Sequence, residues 1–543
     1  WRAIVGQIDQ AGSESEFVSV ADMPRATLGR HPWSIGGGGA AELREAIESR
    51  AIARLGQISE SIGFMVITGE DDFYLLPAHV AHRLGIPTRP FVLGDGLRDW
   101  AAQESAMVAF PYIVHGEAID AAPFPRAKGL YSSLAWQFRT SLRARVMFGK
   151  TAEQHGYRWD QFMQFIRPRI TASNLIAFAE VATHNHFVLD RGGKVFKQTA
   201  PVIKLPSNST EDEHFGLLGL LNSSIACFWF QQVCHNKGGP GGGSSKDEKW
   251  HDFYAFNSTK VAEFPLSQLK PSELARHIEQ LATRYSASLP PSIKTDLPIS
   301  RAQLDVKQLN ASQAAMKLIA AQEELDWTCY GLYAMVDGDN VRKVVHDLPP
   351  DLHPGERAFE IVMARAIEAG TLDTKWFDWL GISPVTQIPQ RWPASYRAVV
   401  ERRIALIESS RDIALIEIPS CKRRWEAPRW ADLERNTLRE WLLDQLEKPS
   451  SWLSGPDTPP QLTTTSRLAE TMRADAGFMQ VATLYSGHAD FDISRLVADL
   501  VAAEAVPLLP VLRYTDDGLR KRAQWESTWA MQRAEDAIDA DID

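Results

Sequence analysis

The stretch from Arg167 to Leu266 constrains the fold more than any other part of the sequence. Short apolar segments typical of β-strands alternate there with a glycine turn at 192–193 and a glycine-rich polar loop over 236–249. Between the turn and the loop lies the apolar run Leu217–Phe230, which the polar step Asn222–Ser224 interrupts. We read this polar step as mainly structural. The order predicts strand, turn, strand, short buried helix, polar loop and strand, a surface suited to recognising another molecule.

Length and composition indicate a globular protein without membrane contact. A chain of 543 residues has room for two to four domains, each with its own core. No signal peptide leads the chain, and the longest apolar run is too short to cross a bilayer. The four cysteines lack the spacing of a disulfide framework or metal site, so reduced thiols are expected. We predict a cytoplasmic location.

Charge is distributed unevenly along the chain. The net charge is −10, yet residues 121–206 carry thirteen basic and four acidic side chains, a local charge of +9. A basic region within an acidic protein is the expected footprint of a single DNA-facing surface. A solvated basic helix would give the same count, and that alternative stays open.

The segment Ser132–Lys150 predicts a helix with arginines away from its apolar face. Arg139 and Arg143 are four residues apart and share one side, with Arg145 on another face. Guanidinium groups match phosphate oxygens and guanine edges with two hydrogen bonds. For any single arginine, a solvated helix face is the competing interpretation.

Two polar segments within the opening stretch are further candidates. In an alternating strand, His184 and His186 would share one face and Asn185 would occupy the other, and either face could read base edges. A structural role in a β-turn corner is the alternative. Asn236 and Lys237 begin the glycine-rich loop, which either orders on DNA or is a surface loop without a partner.

The remaining pattern predicts an α+β fold that becomes helical toward the C-terminus. Helices are predicted over Ala40–Leu55, Pro271–Ser288 and Arg301–Tyr333, and most of Arg357–Asp543 is expected to be helical. Strands are expected within Trp1–Arg30, and strand, turn and strand over Gly63–Tyr74. The predicted domains are 1–268 for recognition, 269–345 as a helical spacer and 346–543 as a helical C-terminal domain.

Several of these segments together resemble TaqI-like and BREX-type PglX adenine-specific DNA methyltransferases. The resemblance is most specific at Arg167–Leu266, like a target-recognition region, and at Glu323–Tyr333, like the Glu-Leu-Asp-Trp then Tyr signature that follows it. The other matching segments are Gly63–Tyr74, Val92–Trp100, Phe110–Tyr112, Val400–Glu408, Lys422–Trp425, Leu512–Tyr514 and Lys521–Arg522. The resemblance covers nearly the whole chain.

The resemblance implies that this chain is the DNA-recognising half of a site-specific methyltransferase in an anti-phage defence system. In that family, basic residues hold the DNA backbone and loops read bases in the groove. The residues expected at the DNA are Arg139, Arg143, Arg145, Arg167, Arg169, His184, Asn185, His186, Lys197, Asn236 and Lys237.

The motifs for methyl transfer are not found in this sequence. A flipped adenine requires an Asn/Asp-Pro-Pro-aromatic loop, and S-adenosylmethionine a glycine-rich turn after a strand; we find neither. The family binds S-adenosylmethionine in a catalytic domain N-terminal to the recognition region. Because the sequence begins at Trp1 and not at methionine, we expect such a segment to precede it. The chain alone is predicted to be inactive, and no metal is expected.

The expected partners are double-stranded DNA, other defence-system proteins and a phage-encoded inhibitor. Two alternative functions stay open. One is a protein-interaction scaffold of a defence complex in which DNA contact is incidental. The other is the recognition half of a TaqI-like restriction-modification enzyme. Salt-dependent DNA binding would separate the scaffold from both DNA-recognising functions.

Overall fold

The computed structural model describes most of the chain. The described residues are 1–13, 15, 18–20, 22, 25, 29, 38–77, 81, 86–104, 106–115, 118–121, 130–239, 248–293, 295, 297–336, 349–425, 429–452, 463–502 and 516–542. Helices and several small sheets are mixed along this part, which confirms the α+β prediction.

Two compact units divide the chain. The first consists of Trp1–Ser286 and Ser312–Glu426, and the second of Ala287–Ala311 and Ala427–Asp543. The predicted domain boundaries at 268 and 345 both fall inside the first unit. Packing therefore groups part of the predicted spacer and C-terminal domain with the predicted recognition domain.

A four-stranded antiparallel sheet lies at the centre of the sequence stretch that opened the analysis. Its strand order is Phe187–Asp190, Leu175–Phe178, Val202–Lys204 and Ser61–Gly63. The side chains of its first three strands are buried on both faces, which explains their near-continuous apolar sequence. This sheet is the core that positions the neighbouring loops.

Two further sheets belong to the first unit. One has the order Val195–Phe196, Thr88–Val92, Ala106–Ala109 and Leu75–Leu76, with only its first pair parallel. The other has the order Val181–Ala182, Phe253–Ala255 and His235–Gly238, all antiparallel. The two-stranded pairs are Ala53–Arg54 with Pro265–Leu266, Tyr112–His115 with Ala118–Ala121, Val146–Met147 with Lys150–Thr151, Val66–Ile67 with Gln164–Phe165, and Leu97–Arg98 with Ala101–Ala102.

The apolar run forms two buried helices, Glu211–Leu221 and Ser224–Val233. Asn222 separates them, and its side-chain amide exchanges two hydrogen bonds with the backbone of Phe187, at 3.0 and 2.8 Å. Ser223 caps the second helix by accepting from the backbone N–H of Ala226. The structural role predicted for this polar step is confirmed.

The other helices cover most of the described chain. Those of the first unit are Arg2–Gln7, Ala40–Ser49, Leu55–Ile58, Asp71–Tyr74, Leu130–Gln137, Arg139–Ala144, Arg167–Ile170, Ser258–Ala262, Ala358–Glu368, Trp376–Leu380, Ala394–Ser409, Arg411–Ile416 and Pro419–Lys422, with 3₁₀ turns Gly94–Gly96, Glu153–His155 and Lys249–His251. The helix Ser272–Ser288 belongs to the first unit except for its last two residues. Those of the second unit are Trp430–Leu446, Thr465–Arg473, Ala476–Ser486, Ile493–Ala502 and Asp516–Ile542, with 3₁₀ turns Pro290–Ser292 and Pro449–Ser451. The helix Arg301–Leu332 contributes residues to both units.

The second unit has its own apolar core among its helices. Leu442, Phe478 and Val497 are buried there, each from a different helix. By contrast, Trp525 and Trp529 are exposed on Asp516–Ile542, four residues apart on the same side of that helix. The helices predicted at Pro271–Ser288 and Arg301–Tyr333 are confirmed within one residue at each end.

Four local predictions are wrong in whole or in part. The helix predicted over Ala40–Leu55 ends at Ser49, and Ala53–Arg54 forms a strand. Within Trp1–Arg30, where strands were expected, Arg2–Gln7 forms a helix, and most of residues 14–30 lie outside the described part of the chain. The second strand expected before Tyr74 is a helical turn, Asp71–Tyr74, whose acidic first turn favours a helix start. The helix predicted over Ser132–Lys150 ends at Ala144, and a hairpin follows it.

A buried ionic cluster joins the long helix to the segment around residue 420. The Lys422 ammonium donates to the carboxylates of Glu323, Asp326 and Glu417 at 2.8, 2.9 and 3.0 Å, and we call these four residues the Lys422 cluster. Tyr330 donates to Glu417, also at hydrogen-bonding distance. Burial raises the pKa of Glu417 to about 7, against the opposing effect of the lysine. The segment Glu323–Tyr333 thus supplies two of the three acids, Glu323 and Asp326, and the tyrosine that donates to the third.

The described helices include none with the length and apolarity to traverse a bilayer. All four thiols are buried and free, as the cysteine spacing predicted.

Candidate nucleic-acid interface

Two of the predicted arginines lie exposed on the short helix Arg139–Ala144. The Arg139 guanidinium lies 4.6 Å from the ring centre of Trp136, a side chain that is itself 56% exposed. Arg143 pairs with Glu153 at 3.7 Å, with both side chains more than half exposed. An exposed pair of this kind contributes at most about 1 kcal/mol, so the guanidinium can exchange its partner for a phosphate at little cost.

The hairpin that follows this helix carries an aromatic residue at its tip. Its strands pair Val146 with Thr151 and Met147 with Lys150, which leaves Phe148 and Gly149 as the two turn residues. Both have positive φ, 50° and 76°, as a type I′ turn requires. The left-handed region costs a residue other than glycine roughly 1–2 kcal/mol. The Phe148 side chain is nevertheless 85% exposed. The exposed Arg139, Arg143, Phe148 and Lys150 are called the hairpin surface below.

Arg145 lies inside the protein, at the base of the hairpin. Its guanidinium donates to the carbonyls of Leu142, Thr68, Trp159 and Gln161, at 2.6 to 2.9 Å, and to the Tyr74 hydroxyl at 3.2 Å. Five acceptors satisfy the donors of the side chain, so Arg145 fixes the hairpin to the rest of the first unit.

Arg167 and Arg169 occupy opposite environments within one helical turn. Arg167 is exposed and lies 5.9 Å from the ring centre of Phe165. Arg169 is buried and donates to the Ser61 hydroxyl at 3.2 Å and to the Phe64 carbonyl. Burial lowers the pKa of Arg169. Only Arg167 of this pair is available to a partner in the structure.

The segment His184–His186 is buried and lies between two strands, not within one. His184 and His186 face Asp99, with their nitrogens 3.2 and 3.4 Å from its carboxylate. Asn185 points the other way and donates to the carbonyls of Leu221 and Ser223 at 2.6 and 3.1 Å. The alternation that the sequence predicted is present, but both faces bond to the protein itself.

Residues 422–425 hold this segment from the far end of the unit. Arg424 donates to the backbone and side-chain oxygens of Asn185, each at 2.9 Å. The Trp425 N–H donates to the Asp99 carboxylate at 2.8 Å. Arg423 donates to the Trp250 carbonyl at 2.6 Å. Together with Lys422, these contacts tie four chain-distant segments together.

The Asp99, His184 and His186 side chains have the donor set of a metal centre, with ligand atoms within 4.8 Å of one another. Two guanidinium groups already lie against this set: Arg98 is 3.1 Å from His186 Nε2 and Arg424 is 3.4 Å from Asp99. Positive charges at this distance oppose a divalent cation. The donor set therefore fits a hydrogen-bonded network better than a metal.

The pKa directions agree with a neutral histidine pair beside a charged aspartate. Burial, followed by the charge of His186 and then of Arg424, lowers the pKa of His184 well below its usual value. Burial, followed by the charges of Arg98 and Arg424, brings the pKa of His186 to about 4. Burial alone would raise the pKa of Asp99, but hydrogen bonds from both histidines hold it well below its usual range. Both imidazoles are therefore uncharged at neutral pH, each keeping the single N–H of a neutral ring.

The last three predicted residues lie apart from the helix arginines in the sequence. Lys197 is half-buried and forms an ion pair with Asp71. Asn236 donates to Asp252 at 3.0 Å and accepts from the Gly238 N–H at 2.6 Å, at a bulge of its strand. Lys237 is exposed on that strand. Most of the glycine-rich loop, residues 240–247, lies outside the described residues.

Two features were missed from the sequence. Phe148–Gly149 resembles no common hairpin turn, because asparagine or glycine normally occupies the first position. The role of residues 422–425 had one signal, their resemblance to a family segment, but nothing in the sequence indicated which distant residues they contact.

Comparison with known proteins confirms the resemblance to PglX. Residues 318–543 match the model of a domain of unknown function, DUF7008. The adenine-specific methyltransferase PglX of Streptomyces coelicolor is 38% identical over 548 residues, which cover 99% of this chain. They cover 45% of that protein, so the chain spans less than half the length of the relative.

Among solved structures, the chain is similar to the Type IIL restriction-modification enzyme MmeI in complex with DNA. The match covers 53% of this chain and 34% of that enzyme, with 12% identity and a TM-score of 0.32. Similarity at this level does not establish a shared fold.

Proposed function

We propose that this chain is the DNA-recognising part of an adenine-specific DNA methyltransferase of the PglX type, acting in a BREX-type phage-defence system. The observation that carries this proposal is the 38% identity to PglX, which extends over 99% of the chain. A match of that extent includes the segments from which the recognition role was inferred.

In this proposal the exposed basic residues contact the DNA backbone. Arg139, Arg143 and Arg167 offer guanidinium groups that no buried acceptor occupies among their described contacts. Such groups bind phosphate oxygens with two hydrogen bonds and give affinity without sequence preference. Lys197 also contributes positive charge, and its ammonium would leave its ion pair with Asp71 to contact a phosphate.

The buried members of the predicted set act indirectly. Arg145, Arg169, His184 and His186 hold loops in place, and their donors are used inside the protein. Asn185 likewise uses its amide inside the protein, where it holds the link between the strands Val181–Ala182 and Phe187–Asp190. We therefore place base recognition at the exposed Asn236 and Lys237, whose amide and ammonium groups match base edges in the major groove. Asn236 would exchange its solvent-exposed hydrogen bond to Asp252 for a base edge.

Methyl transfer, in this proposal, belongs to a catalytic domain outside the chain, and S-adenosylmethionine binds there. The support is the missing Asn/Asp-Pro-Pro-aromatic loop in this sequence and the greater length of PglX. Calorimetry on Trp1–Asp543 is expected to detect no S-adenosylmethionine binding. Micromolar affinity would refute this division of labour.

The decisive experiment measures DNA affinity across a salt series. Replacing Arg143 with alanine should weaken binding to all duplexes alike and reduce the salt slope by about one unit, because one phosphate contact is lost. The matched control is Arg429→Ala, an arginine of the second unit that is also exposed and paired with a nearby aspartate at 3.1 Å. That control should leave affinity and slope unchanged. Equal effects of both substitutions would show that DNA binds elsewhere.

A second candidate function is docking of other defence proteins, or of a phage-encoded inhibitor. The exposed Trp525 and Trp529 favour it, since tryptophan is enriched where proteins meet. Failure of the unaltered protein to bind DNA in a salt-dependent way would leave this candidate standing and remove the first.

A further inference from the structure

We propose that Phe148 inserts its ring into the base stack of double-stranded DNA bound at the hairpin surface. The inference rests on the proposed function, because it assigns a residue to the DNA contact made there. It goes beyond that function by adding deformation of the duplex to backbone contact.

The first argument is the conformation of the tip. Phe148 has φ 50° in a two-residue turn, a position where asparagine, aspartate or glycine is preferred. The protein accepts this strain although the ring is 85% exposed and gains little burial in return. A strained backbone that leaves its side chain so exposed points to a role outside the folded chain.

The second argument is the charge around the tip. Residues 139–150 contain four basic side chains and no acid, and the nearest acid along the chain, Glu153, already pairs with Arg143. Three of the four basic side chains, those of Arg139, Arg143 and Lys150, are exposed. An exposed apolar ring in a segment whose charged residues are all basic suits a polyanion with stacked aromatic bases better than an apolar protein groove.

The third argument is rigidity at the hairpin base. Arg145 lies one residue before the first strand of the hairpin. Its guanidinium donates to five acceptors elsewhere in the first unit. On the other side, the His155 ring is hydrogen-bonded to the Met147 carbonyl at 2.9 Å, and Gln154 accepts from the Thr151 N–H at 2.8 Å. A ring held on a fixed base can wedge between base pairs at little entropic cost. A flexible loop would lose conformational entropy when it became ordered on insertion.

The chemistry of the contact follows from these features. The cations bind phosphates on either side of a base step, and the ring partly unstacks that step, as apolar wedges of other DNA-binding proteins do. The ring carries no charge, so it contributes to affinity but not to the salt slope. This separation of affinity from salt slope distinguishes Phe148 from the arginines beside it.

The test compares Phe148→Asn and Phe148→Trp in the full chain. Asparagine before glycine is the preferred type I′ pair, so the hairpin should fold at least as well without the ring. With a labelled random-sequence duplex, Phe148→Asn should reduce affinity about 5- to 100-fold at an unchanged salt slope. Plasmid relaxation by topoisomerase should show unwinding with the unaltered protein and with Phe148→Trp, but not with Phe148→Asn.

The outcomes separate this inference from the function on which it rests. Salt-dependent binding by the unaltered protein, with Phe148→Asn binding and unwinding equally well, overturns the wedge and leaves the proposed function intact. Absence of salt-dependent binding in the unaltered protein overturns both. Leu269→Ala is the matched control, because it removes another exposed apolar side chain and should change neither affinity nor unwinding.

Discussion

The Lys422 cluster and the hairpin surface use the same residue types for opposite purposes. In the cluster, a lysine lies between three carboxylates and out of water. On the hairpin surface, Arg139, Arg143 and Lys150 face solvent. Removing a charge should therefore cost folding in the first region and binding in the second. Burial, and not residue type, decides which basic side chains can meet a partner.

The largest effect is expected from Lys422→Met. Without the ammonium, three carboxylates remain buried beside one another, and loss of one partner of a buried pair costs about 3–5 kcal/mol. Denaturant unfolding should show this loss in the free energy of unfolding. Arg143→Ala, at the hairpin surface, should stay within about 0.5 kcal/mol of the unaltered protein. A cluster variant as stable as the surface variant would erase the contrast between the two regions.

A smaller effect is expected from Asn185→Ala. The substitution leaves the Arg424 guanidinium and the carbonyls of Leu221 and Ser223 short of buried partners, which costs about 1–3 kcal/mol. Thermal unfolding measures this loss. If the proposed function holds, the preferred DNA site should stay the same, because Asn185 is buried. Normal stability with a relaxed site would instead show that Asn185 reads a base after a rearrangement.

The smallest effect concerns pH. The raised pKa of Glu417 means that the folded protein holds a proton that the unfolded chain releases near pH 4.5. Its contribution to stability is fully present below that pH and is lost as pH rises through about 7. Glu417→Gln should remove this component, on the order of 1–2 kcal/mol because the neighbouring acids share the proton. Unfolding free energies between pH 4 and 8 measure it; an unchanged slope would place the proton on another group.

How far the sequence could lead depended on the range of the contacts. Helical periodicity was enough for Ser272–Ser288, where the apolar face is set by residues three and four apart. Arg143 and Arg145 lie two residues apart with equal charge, and nothing local distinguishes the exposed one from the buried one. The difference comes from acceptors such as the Thr68 carbonyl, 77 residues away.

The same limit applied to the candidate site. The alternation of His184, Asn185 and His186 was predictable, but Asp99 and Arg424, which occupy the two faces, are 85 and 239 residues distant. The family resemblance supplied the region and its partner class. It could not indicate which side chains face outward, and the roles at the DNA stay predictions.

The contacts of residues 422–425 also determine when the first unit can complete its folding during synthesis. The Trp425 N–H donates to Asp99 across 326 residues. The segment around Asp99 therefore lacks this contact until the ribosome has added the intervening residues. At about 5–20 residues per second, the wait is roughly tens of seconds. Any exchange of the 99–186 region between related chains should therefore carry residues 422–425 with it. A chimera that joins one parent's first 268 residues to another's remainder would place residues 422–425 of one parent against the contact residues of the other.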